Sequence, residues 1–222
     1  MRDVLVFDLD DTLFPEHEFV RSGFIAAGIW LQNRHGISGF AVAAQRIFDA
    51  GLRGTVFNAS LEELSGVAPP DLVTDLVRVY REHAPTITLH PDAAWALKHY
   101  RRTFTLGLLT DGYLVTQRNK VRALGIAPLF ETIIYSDVDG RAAWKPSPIP
   151  YQRLMERVGA DVGSFTYVSD NPAKDFVMAR ELGWRTVRIV RLDGEYRAVA
   201  HATDHAADLT VDSLFDLEQV LG

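Results

Sequence analysis

Cysteine is absent from all 222 residues. A disulfide framework, a thiolate nucleophile and a cysteine-ligated zinc site are therefore excluded, and the absence suits a reducing compartment. Basic blocks are also lacking. The formal net charge is −6, with both signs spread along the chain, so neither a nucleic-acid polymer nor an anionic membrane is an expected partner. No apolar run is long enough to cross a bilayer, and Met1-Arg2-Asp3-Val4 reads as the start of a strand, not a signal peptide. There is no internal repeat and no low-complexity tract. A soluble, cytoplasmic protein is expected.

Hydrophobic residues make up 47% of the chain, enough for one sizeable core and a smaller second unit. Short apolar runs at Val4–Phe7, Phe104–Leu109, Thr132–Tyr135, Phe165–Val168 and Thr186–Val190 read as strands. Amphipathic stretches near 114–124, 148–158 and 173–182 alternate with the later runs. Gly125, Gly159 and Gly183 follow these stretches, where a glycine commonly ends a helix. Alternating strand and helix signals predict an α/β fold, a Rossmann-like parallel sheet with right-handed crossovers.

Residues 15–87 break this rhythm. Amphipathic stretches near 17–34, 39–51 and 70–83 are separated by Gly, Ser or Pro, without convincing strand signals. This reads as a helical insertion after the first strand, leaving residues 1–14 and 88–222 as the core. Pro91 suits the first position of a returning helix. The segment 193–209 reads as irregular, and Asp212 to Leu221 as a closing helix. The aromatics Phe19, Phe24, Trp30, Phe40 and Phe48 recur at near-helical spacing and read as core.

The chemistry sits at strand ends. Asp8 and Asp10 leave the first strand at i and i+2, and open α/β sheets bind ligands beyond the carboxyl ends of their strands. Two nearby acids held in different protonation states can divide nucleophilic or metal-binding work from proton transfer. Three further strand ends carry polar groups: Thr110-Asp111-Gly112, Lys145-Pro146, and Ser169-Asp170-Asn171 running on to Lys174-Asp175. His201 and His205 stand four apart, a weak candidate for a metal pair without a third ligand in view.

Taken in this order, the set resembles the haloacid dehalogenase superfamily. Asp8, Asp10 and Thr12 match its Asp-x-Asp-x-Thr motif, Thr110 its Ser/Thr, Lys145-Pro146 its lysine, and Asp170 with Asp175 its acidic pair, Ser169 replacing the usual glycine. Gly140 and Lys145 are five apart, a longer spacing than usual. The resemblance implies a phosphohydrolase whose insertion is a C1-type helical cap. It implies Asp8 as nucleophile, Asp10 as general acid and base, and Mg²⁺ held by the Asp8 carboxylate, the Asp10 carbonyl and Asp170, with Asp175 behind a metal-bound water. It further implies that Thr110, the Asp111-Gly112 turn and Lys145 bind the phosphoryl group. Glu16, Arg21, Arg53 and Asn58 become candidates to reach substrate.

The family's dehalogenases lack the second Asp, because halide leaves without a proton. Asp10 therefore argues for an oxygen leaving group. The expectation is a Mg²⁺-dependent phosphatase of a small phosphorylated metabolite. A phosphomutase of the same superfamily and a catalytically idle binding module stay open as alternatives, and the oligomeric state is not legible.

Overall fold

The computed structural model describes residues 1–198 and 203–221. By packing, the chain divides into two compact units, Met1–Glu16 with Thr88–Gly222, and His17–Ile87.

The first unit is a six-stranded sheet in the order β3-β2-β1-β4-β5-β6, with every pair parallel. The strands are β1 (Arg2–Phe7), β2 (Thr105–Thr110), β3 (Thr132–Tyr135), β4 (Val162–Ser169), β5 (Arg185–Ile189) and β6 (Leu209–Val211). β1 lies between β2 and β4, where the strand order reverses. This switch point opens the crevice in which doubly wound sheets bind ligands. Phe7 aligns with Leu108 on one side and Val168 on the other, so Asp8, Thr110 and Asp170 emerge at one end of the sheet.

Alternation along β1 sends Val4 and Val6 into a core with Leu109, Ile134, Tyr151, Leu154, Tyr167 and Trp184. A side chain at Gly107 would begin 3.2 Å from Leu154 Cδ1, so glycine in β2 lets the helix carrying Leu154 sit close to the sheet. The helices of this unit are α5 (Pro91–Tyr100), α6 (Leu114–Leu124), α7 (Ile149–Val158), α8 (Phe176–Glu181) and α9 (Leu217–Leu221). Pro91 opens α5, and left-handed Gly125 closes α6.

The second unit is helical: α1 (Glu16–His35, whose first residue belongs to the sheet unit), α2 (Phe40–Asp49), α3 (Val56–Ser65) and α4 (Pro70–Glu82). Its core gathers Val20, Phe24, Ala27, Leu31, Phe40, Ala44, Val56, Leu61 and Leu76, with Trp30 and Phe48 packed against it. α1 and α4 approach so closely at Gly23 that a Cβ there would lie 2.4 Å from the Tyr80 ring.

Three expectations change. α3 was not legible between Gly54 and Pro69. A short strand, β6, follows the irregular segment where no strand was expected, and within that segment Thr203–His205 form a 3₁₀ turn. The closing helix is shortened to α9, because Ser213 caps a 3₁₀ turn at Leu214–Asp216 ahead of it. Among the described residues, no helix is long and apolar enough to cross a membrane.

Candidate active site

Asp8 is the first residue past β1, and its N–H donates to Val168 O on β4 at 2.9 Å. The turn that follows places Asp11 at φ 49°, a left-handed conformation that Asp tolerates better than most residues. The Asp11 carboxylate holds that turn, accepting from Glu16 N at 2.8 Å and Glu195 N at 3.0 Å.

Lys145 is buried beneath Asp8. Its Nζ lies 2.6 Å from Asp8 Oδ1, 2.7 Å from Asp175 Oδ1 and 2.9 Å from Tyr167 Oη. Its backbone N–H donates to Asp111 Oδ1 at 3.1 Å, and Lys174 Nζ reaches Asp111 Oδ2 at 3.1 Å. The Lys145-Pro146 peptide is cis. The longer loop before it folds into a 3₁₀ turn at Arg141–Ala143, and Trp144 Nε1 then donates to Asp137 Oδ1 at 2.9 Å. Ser169 donates its hydroxyl to Asp175 Oδ2 at 2.5 Å. The serine that replaces glycine therefore orients a partner of Lys145.

Asp10 is held separately. Lys120 Nζ lies 2.8 Å from Asp10 Oδ1 and 2.8 Å from Glu16 Oε2, while Gln117 Nε2 donates to Asp10 Oδ2 at 2.9 Å and to Thr110 Oγ1 at 2.6 Å. At the turn after Thr110, Gly112 has φ 123°, a conformation open to glycine alone without strain.

These surroundings separate the two acids. Burial pushes the Asp8 carboxyl up to about 7; Lys145 opposes this, and the charges of Asp175 and Asp10 reinforce it. Burial likewise pushes Asp170 well above the usual carboxylate range, aided by the charges of Asp8, Asp175 and Asp11. Burial also acts on Asp10, but the charge and hydrogen bond of Lys120 outweigh it and hold Asp10 low. Glu16 is pushed well up, first by burial and then by Asp10's charge.

Asp8, Asp10, Glu16, Asp170, Lys174 and Tyr196 are among the residues lining a cavity of about 160 Å³. Its donor set is hard oxygen. Among the described residues, no three or more His, Cys, Asp and Glu side chains are grouped to hold a metal by themselves. Hard oxygen donors such as the carboxylates of Asp8 and Asp170 suit a hard divalent cation such as Mg²⁺. The mutual repulsion of Asp8 and Asp170 is what a bound cation would relieve. His205 Nδ1 lies 3.2 Å from Pro172 O, and His201 falls outside the described residues.

The expected site residues Asp8, Asp10, Thr110, Asp111, Gly112, Lys145, Asp170 and Asp175 all lie at this end of the sheet. Glu16 joins them through Lys120. Arg53 belongs to the second unit, where it stacks 3.6 Å over the Phe48 ring and donates to Phe48 O at 2.7 Å. Gln117, Lys120 and Tyr167 were not legible as site residues, whereas Lys174 falls within the fourth polar strand-end set. The first two sit on a helix where polar residues read as solvated, and Tyr167 reads as strand core.

A model of the haloacid dehalogenase-like hydrolase family matches residues 2–183. Glyceraldehyde 3-phosphate phosphatase of Methanocaldococcus jannaschii is 30% identical over 98% of this chain and 96% of its own. Phosphoserine phosphatase of Thermus thermophilus is 31% identical over 63% of this chain and 55% of its own. The HAD-hydrolase YfnB of Bacillus subtilis, solved with bound magnesium, has the same fold, with a TM-score of 0.70 at 20% identity over 100% of this chain and 99% of that one. The family model spans most of the chain, and the chain belongs to the haloacid dehalogenase-like hydrolases.

Proposed function

We propose that this protein is a Mg²⁺-dependent phosphatase of a small phosphorylated metabolite, working through a phosphorylated Asp8. The observation that carries this reading is the division between Asp8 and Asp10. They leave one strand two residues apart, yet one is paired with Lys145 and the other with Lys120 and Gln117. Two carboxylates in different environments can serve as nucleophile and proton carrier. Two of the relatives bear the names of phosphatases of small phosphorylated compounds, which supports the same substrate class here.

In the first half-reaction an Asp8 oxygen bonds to phosphorus as the phosphorus–oxygen bond to the leaving group breaks, and Asp10 relays to that alkoxide a proton from Glu16, whose carboxyl is pushed well up by burial and by the charge of Asp10. In the second, water attacks phosphorus, Asp10 takes a proton from it, and the bond to Asp8 breaks. Lys145 keeps Asp8 in place through both. Thr110 accepts a hydrogen bond from Gln117, which leaves its own hydroxyl proton for a phosphoryl oxygen. Asp8, the Asp10 carbonyl and Asp170 would hold Mg²⁺, which would supply positive charge to the phosphoryl oxygens and keep Asp8 and Asp170 ionised. Asp175 supports this set through Lys145. The helical unit His17–Ile87 acts as the cap, excluding water and restricting access to small esters.

The test is release of inorganic phosphate from a panel of small phosphate esters, with Mg²⁺ and with EDTA, by wild type and Asp8→Asn. Metal-dependent release lost in the variant is expected. Release that persists in Asp8→Asn would overturn the mechanism, and no release from any ester would overturn the activity.

A further inference from the structure

Gln117 and Lys120 are one turn apart on α6, and both side chains are buried. Each takes a different oxygen of Asp10, Gln117 Nε2 reaching Oδ2 at 2.9 Å and Lys120 Nζ reaching Oδ1 at 2.8 Å. A carboxyl gripped on both oxygens by donors from one rigid helix cannot rotate about its last bond. Each oxygen still keeps a second lone pair for a proton or a leaving group. We infer that Gln117 and Lys120 are positioning residues that hold the Asp10 carboxyl in the orientation needed to protonate the leaving oxygen.

The inference rests on Asp10 acting as the proton carrier. A lone ion pair between Lys120 and Asp10 does not explain the arrangement, because it would leave the carboxyl free to turn about its last bond. Lys120 also holds Glu16, at 2.8 and 3.1 Å through both its oxygens, which fixes the ammonium in place. The same helix sends a neutral amide to the other oxygen of Asp10. Gln117 also reaches Thr110 Oγ1 at 2.6 Å. The helix that follows β2 therefore sets the spacing between Asp10 at the end of β1 and the hydroxyl at the end of β2. A one-ångström error in such placement is costly to catalysis.

The role is read from leaving-group dependence, which a purely structural part would not move. An alkoxide needs Asp10's proton, whereas p-nitrophenolate leaves without one. In Lys120→Met, the single-turnover rate of leaving-group release should fall about 100-fold for the best alkyl phosphate and less than about fivefold for p-nitrophenyl phosphate, the gap being the usual contribution of a positioned acid. This rate is read in place of kcat because the later attack by water is common to both esters, and the ester concentration giving half its maximum should stay within about twofold, since uniform binding is untouched. If Lys120→Met does not fold, as judged by loss of a cooperative melt, Gln117→Met is read in its place, with about a tenfold gap expected from losing one of two donors. Equal losses for both esters, or no loss in the folded variant, would overturn the inference while leaving the phosphatase reading intact. Wild type that hydrolyses neither ester would overturn both.

Discussion

Lys145 Nζ lies 2.6 Å from Asp8 Oδ1, with the lysine side chain fully buried and the aspartate nearly so. The same ammonium lies 2.7 Å from Asp175. It is thus the cation that allows two carboxylates to share one buried site. Burial works against its charge, but Asp175 and Asp8 outweigh burial and hold it well above the ordinary lysine value. Lys145→Met should abolish phosphate release. It should also cost about 3–5 kcal/mol of stability in EDTA, the usual penalty for leaving buried charges uncompensated. Urea unfolding checks the second figure. A fully stable Lys145→Met protein would mean that Asp8 and Asp175 do not depend on the lysine.

Asp8→Asn separates function from stability in the opposite direction. The Asp8 carboxyl is raised to about 7, first by burial and further by the charge of Asp175, so its ionised form is disfavoured in the folded state. Asparagine keeps the size and removes that charge. In EDTA at pH 8 the variant should melt above wild type, because the unfolded chain bears an ionised Asp8 at no cost while the folded chain does not. Turnover should be lost. A lower melting temperature would show that the ion pair with Lys145 outweighs the repulsion.

The residues that attack or receive charge lie where the chain leaves a strand, so local sequence pattern reveals them. Asp8, Asp10, Thr110 and Asp170 follow apolar runs, and Lys145 stands beside a proline shortly before α7. The residues that orient them depend on long-range packing. Lys120 is polar on a helix and reads as solvated, but the turn after β1 buries it 110 positions from its partner Asp10. Tyr167 alternates correctly for a core strand and is core, yet its hydroxyl and ring also meet Lys145. β6 is three residues long, too short to display alternation, and is anchored from outside by Asp208, which accepts from Thr186 N and Oγ1 at 2.8 Å. In the helical unit, Phe57, Leu61 and Leu64 carry the spacing of α3, but the glycines at 51 and 54 mask its start.

Asp92 offers a test of stability away from the catalytic acids. Its Oδ2 accepts from Arg191 at 2.6 Å, Leu214 N at 2.8 Å and Ser213 Oγ at 3.0 Å, tying α5 to the end of the chain. Arg191 in turn donates to Thr12 O at 2.6 Å. Burial pushes the Asp92 carboxyl up, but the Arg191 and Leu214 hydrogen bonds and the Arg191 charge prevail and hold it below the usual value. A depressed folded value contributes stability above the unfolded value, about 3.9, and loses it as pH falls through the folded value. Asp92→Asn should therefore cost about 1.5–3 kcal/mol at pH 7, the range for hydrogen bonds to a charged group. The gap from wild type should close as pH falls below about 4. A pH-independent gap would assign the loss to packing.

Asp10 and Lys120 should behave as one unit. If Lys120 acts only by holding Asp10, its removal has nothing left to disturb once Asp10 can no longer carry a proton. Asp10→Asn should slow single-turnover release of the leaving group by about 10²–10⁴-fold for the alkyl phosphate and far less for p-nitrophenyl phosphate. Lys120→Met added to Asp10→Asn should then cost less than about threefold more on the alkyl ester, a non-additivity well beyond the ~0.5 kcal/mol within which independent sites add. Single-turnover rates for the four proteins of this cycle measure it directly. Losses that multiply would mean that Lys120 serves the reaction through another group, and Glu16, which shares its ammonium, would be the next to test.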